Sequence, residues 1–542
     1  MHGLMMDVPL TLRPLFERAG RLFGSRAIAW RRPDRSVARH TYAQFHARTQ
    51  QLANALSRLG LARGDRVATL AWNHGRHLEA YFAVPLAGFV LHTINPRLSP
   101  QDLAFIFNDA GDRALIVDEA LLPVLEKFRS QIDLRHVIAW SEGASVPAGT
   151  TDYEELIADE PARFTPGPID EEQAAGLCYT SGTTGRPKGV VYSHRALVLH
   201  SLVSSMPDMF ALGQRDVVMP VVPMFHVNAW GLPYTAVAVG ASLVFPGSHL
   251  DPVSLLDLAQ GEGVTFTAGV PTVWNGILET LDRDPRRWDL KALKTLVVGG
   301  SAMPQASIEG FEKRHGLDVV HAWGMTELTP LGTISRLKPH LDGAPDAERF
   351  RLRATQGLPA PLVEVRAMTE TGETPNDGRA MGELQVRGPW VARAYLNQAT
   401  TPDKFTADGW FRTGDVVTID PEGYVRIADR AKDLIKSGGE WISSVDLENA
   451  LMAHPAVREA AVVAAPHPKW DERPVACVVL KEGAAASEGE LRDHLAGQFA
   501  RFWLPDRFLF LDAIPRTTVG KLNKVKLREQ VAALPQAAVP PG

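Results

Sequence analysis

The sequence predicts an α/β protein with two domains. Over most of the chain, short β-branched runs alternate with helical patterns, which is typical of parallel, doubly wound α/β layers. From about residue 358 the pattern changes to short alternating strands, and a last segment from about Asp429 has strand and helix signals of its own. We therefore expect a large N-terminal domain of two doubly wound α/β subdomains plus a small antiparallel β unit, followed by a small, mobile α+β C-terminal domain.

The elements follow in chain order from hydrophobic periodicity. Apolar residues recur at helical spacing between Leu10 and Phe16, and another helical pattern covers 77–82. The predicted strands of the first subdomain are 67–70, 115–117 and 137–140. Those of the second subdomain are 217–220, 242–245, 265–267, 296–298 and 319–320. Two stretches that are charged or rich in Pro and Gly are predicted to be loops, 142–170 and 335–353.

The second half of the chain supplies the domain boundary. The β unit has predicted strands at 363–365 and 383–386 with a turn at 371–375, and the last segment has a strand at 461–463 and a helix at 488–499. We expect an N-terminal domain of residues 1–428 and a C-terminal domain of residues 429–542.

Composition excludes several classes of protein. The chain has 542 residues, of which 45% are hydrophobic and 22% charged, and this is globular rather than disordered, collagenous or coiled-coil composition. A net charge of −5 gives no electrostatic case for a nucleic-acid binder. Two cysteines, Cys178 and Cys477, cannot form a disulfide framework. With no basic leader followed by an apolar run and no integral membrane segment, we expect a cytoplasmic protein.

The most informative stretch is the glycine-rich loop 179–189, YTSGTTGRPKG, which follows an apolar strand. Glycines let backbone N–H groups turn toward an anion, hydroxyls add donors, and Lys188 adds positive charge. The pattern predicts a triphosphate cradle, although an exposed turn that binds nothing is the alternative. It is neither a Walker A loop nor a Gly-x-Ser-x-Gly nucleophile elbow. The candidate phosphate contacts are Thr180, Ser181, Gly182, Thr183, Thr184, Gly185 and Lys188.

This loop resembles that of the acyl-adenylate-forming superfamily, which includes acyl-CoA synthetases, firefly luciferase and the adenylation domains of peptide synthetases. A second string, HAWGMTE at 321–327, resembles that family's next signature. The resemblance implies that Trp323 offers a face for adenine, Thr326 a hydroxyl for the α-phosphate, and Glu327 an oxygen ligand for Mg²⁺, with Thr180 as a second metal ligand. It implies further nucleotide contacts for His321, Ala322, Gly324, Gly300 and Ser301, with Gly300 also beside the acyl carbonyl.

Two later segments also match the family. Asp415, in GWFRTGD at 409–415, resembles the carboxylate that accepts hydrogen bonds from ribose hydroxyls. The charged stretch 429–442 resembles the segment between the large and small domains, which implies that Arg430 reaches the nucleotide and that Lys432 is the hinge. The same resemblance implies nucleotide contacts for Lys436 and Trp441.

The segment PRTTVGKLNK at 515–524 resembles the one that carries the family's adenylation lysine. We assign that role to Lys521. The family commonly has Ser before the Gly-Lys pair, whereas this chain has Val519.

The acid is indicated by the segment VVPMFHVNAWG at 221–231, which resembles that of bacterial medium- and long-chain fatty acyl-CoA synthetases. The resemblance places His226 beside the carboxylate and Trp230 at the tunnel mouth. No Asp or Arg in the segment suits an amino acid's ammonium group or a second carboxylate, and an apolar wall gains about 0.8 kcal/mol per buried CH₂. An alkyl carboxylate is favoured, although short-chain relatives that activate 3-(methylthio)propionate share a similar segment.

The resemblance implies a fatty acid–CoA ligase that uses ATP, Mg²⁺ and CoA and passes through an acyl-adenylate. The loop of Gly438, Gly439 and Glu440 would line the pantetheine channel after the small domain turns. Two alternatives stay open at this point, namely transfer of the acyl group to a carrier-protein thiol, with luciferase-like oxidation as a remote variant, and a non-catalytic binder. By analogy with homologous synthetases, the chain is expected to form a homodimer through its N-terminal domain.

Overall fold

The computed structural model describes residues 1–141, 146–180, 186–399, 403–430, 432–437, 440–518 and 520–533. Its helices are α1 Leu12–Leu22, α2 Tyr42–Arg58, α3 Gly75–Leu86, α4 Pro100–Ala110, α5 Leu122–Glu126, α6 Tyr153–Ala158, α7 His194–Ser204, α8 Val227–Trp230, α9 Leu232–Val239, α10 Pro252–Gly261, α11 Pro271–Arg283, α12 Gln305–His315, α13 Asp346–Arg353, α14 Ser444–Ala453, α15 Glu488–Ala496 and α16 Lys524–Ala532.

Its strands are β1 Ala27–Arg31, β2 Val37–Thr41, β3 Arg66–Leu70, β4 Val90–Thr93, β5 Asp112–Asp118, β6 His136–Trp140, β7 Thr151–Asp152, β8 Ala174–Tyr179, β9 Gly189–Ser193, β10 Val217–Pro220, β11 Ser242–Phe245, β12 Phe266–Gly269, β13 Thr295–Val298, β14 Val319–Gly324, β15 Leu331–Ile334, β16 Leu358–Pro359, β17 Glu364–Thr369, β18 Gly372–Glu373, β19 Gly382–Arg387, β20 Phe411–Ile419, β21 Val425–Arg430, β22 Ile435–Ser437, β23 Glu440–Ile442, β24 Val457–His467, β25 Asp471–Leu480 and β26 Arg507–Phe510.

The first predicted subdomain is a seven-stranded sheet in the order β7-β6-β5-β3-β4-β8-β9. All its neighbours pair in parallel except β8 and β9, which are antiparallel. The three strands expected from β-branched runs are β3, β5 and β6. The crossover between β3 and its neighbours confirms the doubly wound arrangement.

The second predicted subdomain is a nine-stranded sheet in the order β16-β15-β14-β13-β12-β10-β11-β1-β2. It contains all five strands expected there, at β10 to β14. Its far edge comes from near the start of the chain, because β1 pairs in parallel with β11, with Ile28 opposite Leu243. The order of elements along the chain does not indicate that strands from its start join the sheet of the second subdomain.

The two sheets share a layer of helices that forms the main core. Phe16 of α1 stacks on Phe82 of α3, with ring centroids 5.7 Å apart, and Phe82 meets Tyr234 of α9 at 5.5 Å. Side chains from α2 and α7 complete the same buried cluster. The layer fixes the carboxyl ends of both sets of parallel strands relative to each other, and ligands in such folds bind at those ends.

Both stretches that were predicted as loops contain helices, so these two predictions were wrong in part. α6 is capped by Asp152, whose side chain accepts from the amides of Glu154 and Glu155, and it buries Tyr153 and Ile157. α13 buries Phe350, Leu352 and Arg353. Burial of a few apolar side chains outweighed the polar composition in each case.

The β unit is a five-stranded antiparallel sheet in the order β18-β17-β19-β20-β21, and it begins at Glu364 because β16 pairs with β15 instead. The C-terminal sheet has the order β23-β22-β25-β24, with β26 parallel to β25. Helices α14 and α15 contribute to one cluster against this sheet, and α16 contributes to another. This is the expected α+β unit. Within the described residues, no helix is long and apolar enough to cross a membrane.

Candidate active site

Eight of the predicted site residues line a cavity between the nine-stranded sheet and the C-terminal domain. The space between its lining residues, including the part that is open to solvent, is about 490 Å³. Its described lining residues are Phe210, His226, Val227, Trp230, Gly299, Gly300, Ala322, Trp323, Gly324, Met325, Thr326, Pro330, Leu331 and Lys521. A neighbouring cavity of about 360 Å³ shares His226 and includes Thr180 and Asn95. The predicted residues that line the first cavity come from distant parts of the chain. They are His226, Trp230, Gly300, Ala322, Trp323, Gly324, Thr326 and Lys521.

Glycine is required at Gly300, where the backbone φ is +86°. A Cβ there would lie 3.5 Å from Cε of Lys521 and 3.4 Å from Cγ1 of Val270. At Gly299, a Cβ would lie 3.0 Å from the Ala322 carbonyl oxygen and 3.1 Å from the Trp230 indole. Gly299 thus lets the indole approach the backbone closely, and Gly300 supplies the left-handed conformation of the turn after β13.

Asp415 holds the indole that was predicted to face adenine. Trp323 Nε1 donates to Oδ2 of Asp415 at 3.0 Å, and Arg430 Nε lies 3.3 Å from Oδ1. Asp415 is opposite Arg430 in the β20–β21 ladder, and its side chain is almost completely buried. Each carboxylate oxygen can accept more than one hydrogen bond, so the carboxylate keeps capacity for ribose hydroxyls.

Glu327 is oriented by a tyrosine that the sequence analysis did not identify. Tyr395 OH donates to Oε1 of Glu327 at 2.6 Å. Burial and the nearby Glu327 raise the pKa of Tyr395, so the phenol stays protonated and donates. Lys188 Nζ lies 4.8 Å from the centre of the Tyr395 ring, a cation–π distance. No sequence signal marked Tyr395, because 68 residues separate it from Glu327.

The described part of the phosphate loop closes on itself at its base. The Thr180 amide donates to the Lys188 carbonyl at 2.9 Å, and the Lys188 amide donates to Oγ1 of Thr180 at 3.1 Å. Thr180 directly follows β8 and Lys188 directly precedes β9, so the two residues join the ends of the loop at its base. The other predicted phosphate contacts lie outside the described residues, namely Ser181, Gly182, Thr183, Thr184 and Gly185.

Lys521 reaches the cavity from the C-terminal domain on a tight turn. Thr517 and Lys521 exchange two hydrogen bonds, from the Thr517 amide to the Lys521 carbonyl at 2.8 Å and from the Lys521 amide to Oγ1 of Thr517 at 3.1 Å. Burial and the cation of Arg430 lower the pKa of Lys521 to about 8, against the opposing effect of Asp415 and Glu327. The ammonium group thus titrates close to physiological pH.

His226 precedes a single turn of left-handed backbone. The four residues of α8, Val227 to Trp230, have φ between +46° and +57°. This conformation costs about 1–2 kcal/mol for each non-glycine residue, and such strain is concentrated at functional sites. Burial, and to a lesser degree Lys521, lowers the pKa of His226 to about 3. The imidazole is therefore neutral at physiological pH.

Several predicted residues do not line the cavity. His321 is buried behind it, and its Nδ1 donates to the Ala354 carbonyl at 3.1 Å. Ser301 follows Gly300 on the exposed side of the turn. Lys436 and Trp441 contact each other on the C-terminal domain, with Nζ 4.8 Å from the ring centre. Gly438 and Gly439 lie outside the described residues, as does the side chain of Glu440.

Two oxygen ligands for Mg²⁺ were predicted, and their surroundings fit a hard cation. Glu327 presents a buried carboxylate, of which Oε1 accepts from Tyr395, and Thr180 presents a hydroxyl. Among the described residues, no group of three or more His, Cys, Asp or Glu side chains could hold a metal ion. Mg²⁺ usually takes one or two protein oxygens together with phosphates and water, so a pair of ligands suits an ion bound with ATP.

A large α/β domain that receives a lysine from a small α+β domain at a cavity lined by Trp323 and Thr326 is the arrangement of an adenylate-forming enzyme. Residues 16–396 match the family described as AMP-binding enzyme, and residues 446–521 match the AMP-binding enzyme C-terminal domain. The chain belongs to this family.

Three curated relatives cover nearly the whole chain. The long-chain-fatty-acid–CoA ligase of Thermus thermophilus is 52% identical over 97% of this chain and 96% of its own length. The 3-methylmercaptopropionyl-CoA ligase of Ruegeria lacuscaerulensis is 45% identical over 98% and 99%, respectively. The medium-chain-fatty-acid–CoA ligase of Ectopseudomonas oleovorans is 44% identical over 98% and 97%.

Solved structures agree with the fold. The anthranilate CoA ligase AuaEII in complex with anthranoyl-AMP has a TM-score of 0.87 and 26% identity, with 97% of this chain and 99% of that one covered. The ATP-bound MatB of Rhodopseudomonas palustris has a TM-score of 0.82 and 27% identity, with 96% and 99% covered. The protein is therefore an ATP-dependent acyl-CoA ligase, with ATP and CoA as substrates and Mg²⁺ as the usual ion of the family.

The titration of Lys521 gives a test of its role. Because the pKa of a cation is lowered to about 8, its charge is lost as the pH rises through that value. We expect kcat/KM for ATP in acid-dependent ATP–pyrophosphate exchange to be level below pH 8 and to fall about tenfold per pH unit well above it. Lys521→Arg keeps its charge, so any residual exchange in that variant should lack the fall. The same descending limb in both proteins would assign it to another group.

Proposed function

We propose that the protein is a fatty acid–CoA ligase acting on medium- to long-chain carboxylic acids. The observation that carries the proposal is the character of the cavity beside His226. Phe210, Val227, Trp230 and Leu331 give it an apolar wall, and among its described lining residues Lys521 alone carries a charge. An alkyl chain gains from such a wall, whereas an ammonium group or a second carboxylate would lose hydration without a dedicated partner. Relatives at 52% and 44% identity are named for long- and medium-chain acids.

In the first half-reaction, a carboxylate oxygen attacks the α-phosphorus of ATP and the bond to pyrophosphate breaks. The substrate carboxylate lies beside neutral His226, and Thr326 donates to the α-phosphate. Lys521 offsets negative charge at the α-phosphate, and Lys188 does so along the leaving pyrophosphate, which is the main requirement of this type of transfer. Mg²⁺, when bound by Glu327 and Thr180, supplies further charge neutralisation on the phosphates.

In the second half-reaction, the thiolate of CoA attacks the acyl carbonyl and AMP leaves. Lys521 and the thiol cannot occupy the same face of that carbonyl, so the small domain, residues 429–542, turns about Lys432. Gly438, Gly439 and Glu440 then line the pantetheine channel. The rotation breaks contacts between the two domains, such as the bond from Arg426 to Asp446 at 2.9 Å.

A short thioether acid is the second candidate substrate. The relative from Ruegeria lacuscaerulensis, at 45% identity, is named for 3-methylmercaptopropionate and is as similar as the medium-chain ligase. The chemistry on the carboxylate is the same for both, and discrimination by chain length depends on about 1–3 kcal/mol per methylene at the far end of the pocket.

The proposal also covers the oligomeric state and the cellular location of the enzyme. We infer a homodimer through the N-terminal domain, supported by a run of exposed apolar side chains near its start, Leu4, Met5 and Met6. Exposed apolar clusters of this kind mark contact surfaces. Its use of ATP and CoA and its two free, buried cysteines support a cytoplasmic enzyme.

Replacing Lys521 should separate the two half-reactions. Lys521→Ala should lower acyl-AMP formation by at least about 100-fold, because the variant lacks the ammonium group that offsets negative charge at the α-phosphate. Thioester formation from supplied acyl-AMP and CoA should stay within about twofold. Lys526→Ala changes an exposed lysine on α16 and is the matched control. Equal loss of both half-reactions would contradict this division of labour.

A panel of acids should identify the substrate. We expect AMP formation with ATP, Mg²⁺ and CoA to be greatest for acids of about C8 to C16, since each methylene adds apolar contact until the pocket is filled. The panel runs from 3-(methylthio)propionate through C4 to C18. A maximum at the thioether acid would leave the proposed chemistry unchanged and would identify the second candidate as the substrate.

The homodimer can be tested by light scattering. The wild-type protein should have twice the mass of the 542-residue chain at micromolar concentration. The double variant Met5→Ser, Met6→Ser removes apolar contact area and should dissociate at a concentration at least about tenfold higher than the wild type. A monomeric wild type would exclude this assembly.

A further inference from the structure

The turn that carries Lys521 is held from the N-terminal domain by two residues that follow β4. Asn95 Nδ2 donates to Oγ1 of Thr518 at 3.2 Å, and Arg97 Nη1 donates to the Thr518 carbonyl at 3.4 Å. Thr518 lies three positions before Lys521. We propose that Asn95 and Arg97 are positioning residues for adenylation, which hold the lysine turn in place during the first half-reaction only.

Both donors are themselves fixed before they reach Thr518. Oδ1 of Asn95 accepts from the Arg97 amide at 3.0 Å, which orients the amide group. The guanidinium of Arg97 lies 5.3 Å from the centre of the Trp72 ring and 5.8 Å from that of Phe225. These two rings contact each other, and Phe225 directly precedes His226. The contact therefore ties the lysine turn to the segment that carries the candidate acid-binding histidine.

The other sides of the turn are supported differently. Gly520 faces the N-terminal domain across a different surface, because a Cβ there would lie 3.4 Å from Oγ1 of Thr272. Within the C-terminal domain, Arg516 Nη1 donates to the Gly520 carbonyl at 3.0 Å while Nη2 pairs with Glu459 at 2.7 Å. Rotation of the small domain would preserve the bonds of Arg516 and break those of Asn95 and Arg97. A contact that exists in only one of two states can favour only the half-reaction carried out in that state.

The inference rests on the proposed function in one respect, because it takes Lys521 as the adenylation lysine. Asn95→Ala and Arg97→Gln should each lower acyl-AMP formation about threefold to tenfold, the effect of one hydrogen bond on a transition state. Thioester formation from supplied acyl-AMP and CoA should not fall. The controls are Asn108→Ala, which loses a bond to the Gln131 carbonyl, and Arg113→Gln, which loses an exposed pair with Asp133.

A double-mutant cycle distinguishes a direct contact from a general loss of structure. Asn95 bonds the hydroxyl of Thr518, so Asn95→Ala should have no further effect in a Thr518→Ala background and its full effect in a Thr518→Ser background. Arg97 bonds the backbone carbonyl, so the effect of Arg97→Gln should multiply with that of Thr518→Ala. Multiplicative effects of Asn95→Ala and Thr518→Ala, or equal loss of both half-reactions, would overturn the proposal.

Hydrogen exchange of the substrate-free protein supplies a readout that does not depend on activity. Amides in 515–523 should exchange at least about threefold faster in Asn95→Ala and Arg97→Gln than in the wild type, and no faster in the two controls. Unchanged exchange there would overturn the proposal even if Lys521 proves essential for adenylation. Faster exchange would confirm the contact on its own. If Lys521→Ala still formed acyl-AMP in that case, the proposed role of the lysine would be rejected.

Discussion

The structure depends on bringing the positive charge of Lys521 into a buried position close to the cation of Arg430. A pKa lowered from 10.5 to about 8 means that the charged form is disfavoured there by roughly 3 kcal/mol relative to water. This is the net cost, because the carboxylates of Asp415 and Glu327 already offset part of the effect of burial and of Arg430. An anion in the cavity would offset more of it, so the electrostatics favour the inserted lysine most when phosphates are bound.

The nucleotide side of the cavity is rigid because its side chains fix one another. Trp323, Asp415 and Arg430 come from three strands in two sheets, and a buried carboxylate joins them. Glu327 is held in the same way by Tyr395, whose ring also lies beside Lys188. Preorganised groups of this kind stabilise charge without rearranging when the charge develops. The acyl side differs, since Trp230 lies at the end of a strained left-handed turn and rests on the glycines after β13.

The sequence predicted β3, β5 and β6 of one sheet and β10 to β14 of the other because these buried strands are apolar runs, and Val217 to Pro220 appears with its bounds unchanged. It predicted eight of the residues that line the cavity because each lies in a local motif, whereas Phe210, Pro330 and Leu331 also line it and lie in none. Tyr395, Asn95 and Arg97 act through contacts with residues 68, 423 and 421 positions away, respectively, and such contacts leave no local pattern. The pairing of β1 with β11 was missed for the same reason. The helices α6 and α13 were not predicted, because each is stabilised by only a few buried residues in a stretch that is otherwise polar.

The contacts that join the two domains near the site differ in kind from those that hold each domain together. Each domain has its own apolar clusters, whereas Thr518 and Asp446 are held across the boundary by hydrogen bonds and an ion pair. Polar contacts lose little when they open, because water replaces each partner, whereas an apolar interface would expose surface at about 25 cal/mol per Å². The proposed alternation, in which Lys521 is presented for one step and withdrawn for the next, needs an interface of the first kind. The few directional bonds on Thr518 can therefore fix the lysine precisely without making the inserted state too stable to leave.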